Sequence, residues 1–267
     1  MKAFFEGLYL VYNRRELVHP DPLEFLYNYD DLSDREIVGL VASCLAYGRV
    51  AQILKSTAKV LIPLGAHPHD FLMQNSSDMR PVLNEAYKNF KHRFTTGEHI
   101  TRMLTRVSQV LRSYGSLEEF MRTCLREGGS VFQALSIFSR TLSPERKGFS
   151  MLSSPEDGSA CKRLFLYLKW MVRRDEVDPG GWTVFSPKDL VMPTDTHIRS
   201  IARQLGLTER KQADLKTALE ITRAFAVFSP EDPTRYDFSL TRFGIRGALR
   251  ISELTGLLTR IWTLESV

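Results

Sequence analysis

Cysteine is scarce in this 267-residue chain, and so are long apolar runs, alternating strand-like patterns and, in one stretch, acidic charge. The three cysteines, Cys44, Cys124 and Cys161, lie far apart, each inside a helical-looking apolar pattern. They are too few for a four-thiolate zinc or iron–sulfur site, and their spacing gives no disulfide framework, which points to a reducing, cytoplasmic setting. His67 and His69 only flank a proline in a loop, so no metal and no cofactor are expected. No apolar run approaches the roughly 20 residues needed to cross a bilayer. The N-terminal stretch is interrupted by Glu6 and followed by no small-residue cleavage site, so it reads as mature sequence rather than a signal peptide. Period-two alternation is missing, β-branched residues do not cluster, and no repeat or low-complexity segment occurs. These absences predict an all-α chain.

What is present is a balanced globular composition, 43% hydrophobic and 25% charged, with net charge +5 and a pI near 9.1. The basic charge is unevenly placed. Lys162, Arg163, Lys169, Arg173 and Arg174 follow one another with no acidic residue between them, and Arg199, Arg203, Arg210 and Lys211 come soon after. A solvated helix face usually interleaves acids, so such a run suggests contact with a polyanion.

Helical periodicity and punctuation divide the chain. Helices are expected over 3–18, from Ser33 to about 47, over 50–61, 82–92, 98–113, 116–126 and 130–141, then over the basic stretch to 174. Others follow from Asp195 to Gly206, over 208–228, 234–243 and 246–263. Ser33 with Glu36, and Ser116 with Glu119, form capping-box patterns. Asp178, Pro179, Gly180 and Gly181 mark a loop between the basic helix and the helix opened by Asp195.

Pro193-Thr194-Asp195-Thr196-His197, continued by the Arg199…Arg203…Gly206-Leu207 spacing, resembles the catalytic-aspartate segment of the helix-hairpin-helix base-excision DNA glycosylases, the endonuclease III-like superfamily. Many members place a catalytic lysine at the start of the preceding helix, the position that Lys162 occupies here. The early stretch from Asp34 to Ser56 is similar to the superfamily's buried helix and base-pocket turn. The usual glycine-rich hairpin before the lysine is missing, its place taken by Glu156 to Lys162, and Lys162 and Asp195 are 33 residues apart, further than usual. On both points the chain resembles the archaeal 8-oxoguanine glycosylases. Over nearly its whole length it also resembles a bacterial family of uncharacterised proteins with the pattern GSACKRL…WMVR…P.DTH…YDF.L.R.GI.

The resemblance implies a glycosylase with AP-lyase activity, removing a damaged base from duplex or single-stranded DNA. Lys162 and Asp195 would be catalytic. Arg163, Lys169, Arg173 and Arg199 would contact DNA, and Tyr47, Arg49, Gln52, Trp170, Trp182 and His197 would form the base pocket, with Phe185 a further aromatic candidate. It also implies a two-lobed helical fold with a cleft, one lobe over 34–174, the other over 1–33 plus 190–267, joined by a 175–189 loop, acting as a monomer at the nucleoid without a membrane partner. From the residues alone two other readings stay open: a non-catalytic nucleic-acid-binding protein of this fold, and a structural or regulatory helical protein. In the last of these Asp195 is simply a helix cap.

Overall fold

The apolar periods of the sequence become α-helices throughout a computed structural model that describes residues 1–74, 78–144 and 150–245. In chain order these are α1 (Lys2–Tyr12), α2 (Leu32–Leu45), α3 (Val50–Leu61), α4 (Pro68–Met73), α5 (Arg80–Tyr87), α6 (Gly97–Tyr114), α7 (Leu117–Gly128) and α8 (Val131–Leu142). There follow α9 (Lys162–Val172), α10 (Thr196–Gln204), α11 (Leu215–Ala226) and α12 (Asp237–Ile245). The fold is all-α apart from one hairpin of two-residue strands, β1 (Lys91–His92) and β2 (Thr95–Thr96), the only sheet among the described residues. None of the described helices is long and apolar enough to cross a membrane. The helix expected over 246–263 lies outside the described residues.

Two hydrophobic clusters hold these elements. The larger gathers α2, α3, α6, α7, α8 and α9, with α2 at its centre and eleven of the fourteen α2 residues buried. An apolar surround of that extent explains why α2 is hydrophobic nearly all round. The smaller joins α1, α10, α11 and α12 through Phe5, Ile198, Ile201, Phe225 and Leu240, with Tyr236 just before α12. The N-terminal segment divides between them: Phe5 and Leu8 of α1 join the smaller cluster, whereas Val18, Leu23 and Leu26 join the larger.

Several local expectations are revised. The Ser33–Glu36 capping box does not form: Asp31 is the N-cap of α2, and Glu36 reaches the start of α7, accepting from Leu117 N at 2.6 Å and Glu118 N at 3.2 Å. Ser116 does cap α7, accepting from Glu119 N, while the Glu119 side chain pairs with Arg122. The first helix stops at Tyr12 and gives way to a 3-10 turn at Arg15–Leu17. Residues 208–214 are not helical, and α11 starts behind Asp214, which caps Thr217 N. The hairpin was missed because strands of two residues are too short to show a period.

The 175–189 connection is anchored rather than loose. Gly180 N donates to Trp170 O and Trp182 N to Met171 O, so it folds back along the end of α9. Gly180 and Gly181 have φ of +62° and +131°, and a Cβ on Gly181 would lie 2.4 Å from Leu32 Cδ1. Glycine is required there for both reasons.

Candidate active site

The residue before Lys162 sets the geometry. Cys161 takes a left-handed φ of +47°, held by Ser159 Oγ on its N–H and by its Sγ donating to Ser153 O, and α9 begins directly after it. Lys162 therefore sits in the first turn of α9, where its side chain reaches Ala46 O at 3.3 Å. From the other side Asp195 begins α10 as its N-cap, Oδ1 accepting from His197 N at 2.8 Å and Ile198 N at 2.9 Å. Asp195 Oδ2 lies 3.4 Å from Lys162 Nζ, with both side chains partly exposed.

Both residues line one cavity of about 210 Å³. That is small beside ligand pockets of roughly 300–1,000 Å³, suiting one ring system rather than an extended ligand. Its walls are apolar where Leu23, Ile53, Leu166, Trp170 and Phe238 meet, and α12 adds Asp237, Thr241 and Arg242. Asp21 completes the polar part: its Oδ1 accepts from Leu23 N, and Oδ2 pairs with the almost wholly buried Arg242. Burial pushes the Asp21 pKa up, against the pull of Arg242.

Of the residues expected in a base pocket, Trp170 and His197 line this cavity, whereas Tyr47, Arg49, Gln52 and Trp182 do not. Trp182 is core: its Nε1 donates to Glu36 Oε2 at 3.1 Å and its ring meets Tyr167 and Phe138 edge-on. Phe185 is likewise buried in the larger cluster. The Tyr47 hydroxyl donates to His92 O and accepts from Thr95 N, tying the hairpin to the turn before α3. Arg49, the N-cap of α3, and Gln52 in its first turn are both exposed.

The basic helix is the main correction. Lys169 and Arg173 are 1% and 3% exposed and held by internal ion pairs, Lys169 in the cavity wall, so they are not surface phosphate contacts. Lys169 Nζ lies 3.0 Å from Asp237 Oδ2 and 3.3 Å from Asp178 Oδ1. Arg173 pairs with Asp175, Asp178 and Asp232. Burial alone would lower the Lys169 pKa, but Asp178 and Asp237 outweigh it and raise it. Burial likewise opposes charge on Asp175, yet Arg173 and the N–H groups of Asp178 and Val177 bring its pKa down to about 2. The acid-free run in sequence is thus neutralised by acids from later segments. Arg163 is also engaged internally, donating to Cys44 O and Ser150 O with its guanidinium 5.4 Å from the Tyr47 ring centre. Arg199 remains partly exposed on α10.

Asp21, Asp237 and Arg242 are site residues that sequence reasoning missed. Asp21 read as part of a Pro-flanked break, and Asp237 and Arg242 sit in the YDF.L.R.GI pattern without an assigned role. Elsewhere Asp31, Asp34 and His67 bring potential ligand atoms within 4.8 Å of one another, but the buried Asp34 already accepts from His69 N.

Residues 21–246 match the family described as protein of unknown function (DUF2400). The chain belongs to the DUF2400 family. No curated protein and no solved structure matches it. The DUF2400 match takes in every cavity-lining residue except Pro20. Membership therefore covers the Lys162–Asp195 pair, and the chemistry of that pair has to be argued from its geometry.

Proposed function

We propose that this protein is a DNA base-excision glycosylase with AP-lyase activity, its active site the cavity that holds Lys162 and Asp195. The observation that carries the proposal is the 3.4 Å approach of Lys162 Nζ to Asp195 Oδ2 at one cavity, by residues 33 positions apart. The cleft would lie between two lobes built on the two hydrophobic clusters.

Breaking an N-glycosidic bond places positive charge on the sugar, and a carboxylate beneath it stabilises that charge. Asp195 suits this role because two N–H groups fix Oδ1 and leave Oδ2 directed at Lys162. Lys162 Nζ, once neutral, would attack C1′ with its lone pair as the C1′–base bond breaks, and the base leaves with that bonding pair and a proton. Asp195 would accept one proton from the attacking amine and pass it to the departing base, so that it ends ionised as it began. The remaining N–H proton would pass to O4′ as the sugar ring opens to a Schiff base, and loss of a C2′ proton would then expel the 3′ phosphate. The target nucleotide has to be flipped from the stack, at a cost of a few kcal/mol, into a pocket with an aromatic wall. Trp170 and Phe238 are placed to provide one.

Borohydride trapping on oligonucleotides carrying oxidised, deaminated or alkylated bases tests this. A covalent adduct is expected with the wild-type chain and none with Lys162→Ala. Base release and trapping that both persist in Lys162→Ala would overturn the mechanism. DNA binding that survives Asp195→Asn, with no base release from any substrate even by the wild type, would instead favour the non-catalytic binding protein.

A further inference from the structure

The β1–β2 hairpin was not anticipated and has no part in the chemistry above, yet it is fastened to the turn that borders the cavity. Its only exposed large apolar side chain is Phe94, 63% exposed at the tip. A solvent-facing phenylalanine is notable on a hairpin held this firmly. His92 is 3% exposed and bonded at both ring nitrogens, to Tyr47 O at 3.0 Å and Ser56 Oγ at 2.9 Å. Since a carbonyl can only accept, Nε2 carries the proton to Tyr47 O, and Nδ1 of the neutral ring accepts from Ser56. Burial favours that neutral ring by lowering the His92 pKa. Thr95, fully buried, meets the Tyr47 hydroxyl through both its N–H and its Oγ1. The strands are paired His92 to Thr95, leaving Arg93 and Phe94 as a two-residue tip, with Arg93 at a left-handed φ of +50°.

The tip lies close to the site. Gly48 lines the cavity, and a Cβ on Gly48 would come within 3.0 Å of Arg93 Cδ. Along the hairpin itself the charge is of one sign: residues 90–97 contain Lys91 and Arg93 and no carboxylate, and the exposed Arg49 follows Gly48, whereas Lys88 before the hairpin is paired with Glu85. An exposed aromatic ring on a rigid mount among cations fits a partner with stacked faces and a polyanionic backbone.

We propose that Arg93 and Phe94 form a wedge that enters a DNA duplex beside the cavity, Phe94 stacking into the gap left by a flipped nucleotide while Arg93 and Arg49 contact flanking phosphates. This rests on the flipped-nucleotide reading of the site. Apolar side chains inserted between base steps are a general means of holding a duplex unstacked. The chemistry lies with Lys162 and Asp195; Phe94 would act only on the state of the duplex.

The full chain and its Phe94→Ala, Phe94→Trp and Arg93→Ala variants can be titrated against three probes. These are a duplex with one tetrahydrofuran abasic analogue opposite 2-aminopurine, the matched intact duplex, and the single strand. Borohydride trapping on a duplex with a natural abasic site is measured in parallel at saturating protein. The wild type should prefer the tetrahydrofuran duplex and change its 2-aminopurine fluorescence. Phe94→Ala should lose about tenfold of that preference, the equivalent of one stacking contact, and most of the fluorescence change, while its trapping persists. Phe94→Trp should keep the preference, and Arg93→Ala should weaken binding to both duplexes alike. No preference in the wild type, or an unchanged preference and signal in Phe94→Ala, overturns the wedge whatever the trapping shows. A wild type that neither traps nor releases any base overturns the glycosylase instead, and a Phe94-dependent preference in that same protein would still support the wedge.

Discussion

Asp195 divides its carboxylate between two neighbours: Oδ1 caps α10 through His197 N and Ile198 N, and Oδ2 faces Lys162 Nζ at 3.4 Å. Capping and catalysis are therefore not alternatives for this residue, because they use different oxygens. The two roles separate on substitution. Asparagine retains an acceptor for the amides and caps about as well as aspartate, whereas alanine costs about 1 kcal/mol. Asp195→Asn should unfold in urea within about 0.5 kcal/mol of the wild type yet lose base release by about 100-fold or more, since it cannot carry charge. Asp195→Ala should lose both. Equal activity in Asp195→Asn and the wild type would reduce Asp195 to a cap.

The buried ion cluster that begins in the cavity wall with Lys169 and Asp237 predicts two separable effects. Asp178 is fully buried between Lys169 and Arg173. Its replacement by alanine takes one partner from each cation while Asp237 stays on Lys169 and Asp175 and Asp232 stay on Arg173, and a loss of about 1–3 kcal/mol is expected in urea unfolding. The same cations should be invisible to DNA. Lys169→Met should leave the salt dependence of DNA binding unchanged, whereas replacing an exposed phosphate-contacting arginine should reduce the slope of log K against log salt by about 1. A reduced slope in a folded Lys169→Met protein would contradict the inward placement.

The helices were largely legible because each carries its own period and punctuation. Ile100 to Leu111 repeats at helical spacing, and Ser116, Ser130 and Asp195 each cap the helix that follows. The pairing of Lys162 with Asp195 came only from family resemblance, since nothing local to either residue indicates it. What could not be read was the neutralisation of the basic helix. Asp175 and Asp178 lie just beyond the helix in sequence, but nothing local shows that they turn back onto Lys169 and Arg173, and the remaining partners, Asp237 and Asp232, are 68 and 59 residues downstream of those two cations. Glu36 misled for the same reason: its capping-box position is local, while its actual partners, Leu117 and Trp182, are 81 and 146 residues away.

Gly181 couples the connecting loop to α2. Its φ of +131° suits only glycine, and a Cβ there would collide with Leu32 Cδ1. Gly181→Ala should cost about 1–3 kcal/mol from the backbone alone, and more if Leu32 cannot move. Because Trp182 follows directly, the loss should appear in tryptophan fluorescence together with the global urea transition. An unaltered midpoint would mean that the loop adjusts without cost.

Glu36 gives the stability of the fold a specific pH dependence. Burial raises its pKa from the ordinary 4.5 to about 7, partly offset by the N–H groups of Leu117, Trp182 and Glu118. Between those two values the folded protein retains a proton that the unfolded chain has released. Stability should therefore fall as pH rises from about 4.5 to about 7, by about 3 kcal/mol at 1.36 kcal/mol per unit, and stay level above that for this group. Glu36→Gln removes the titration, so its unfolding free energy should lack this fall. It should also be less stable than the wild type by about 1–3 kcal/mol at low pH, because its amide NH₂ meets N–H donors on both sides. Urea unfolding of both proteins at pH 5 and pH 8 isolates the effect, since every other group titrates in both. Parallel pH dependence in the two would show that Glu36 stays ionised, its three N–H partners outweighing its burial.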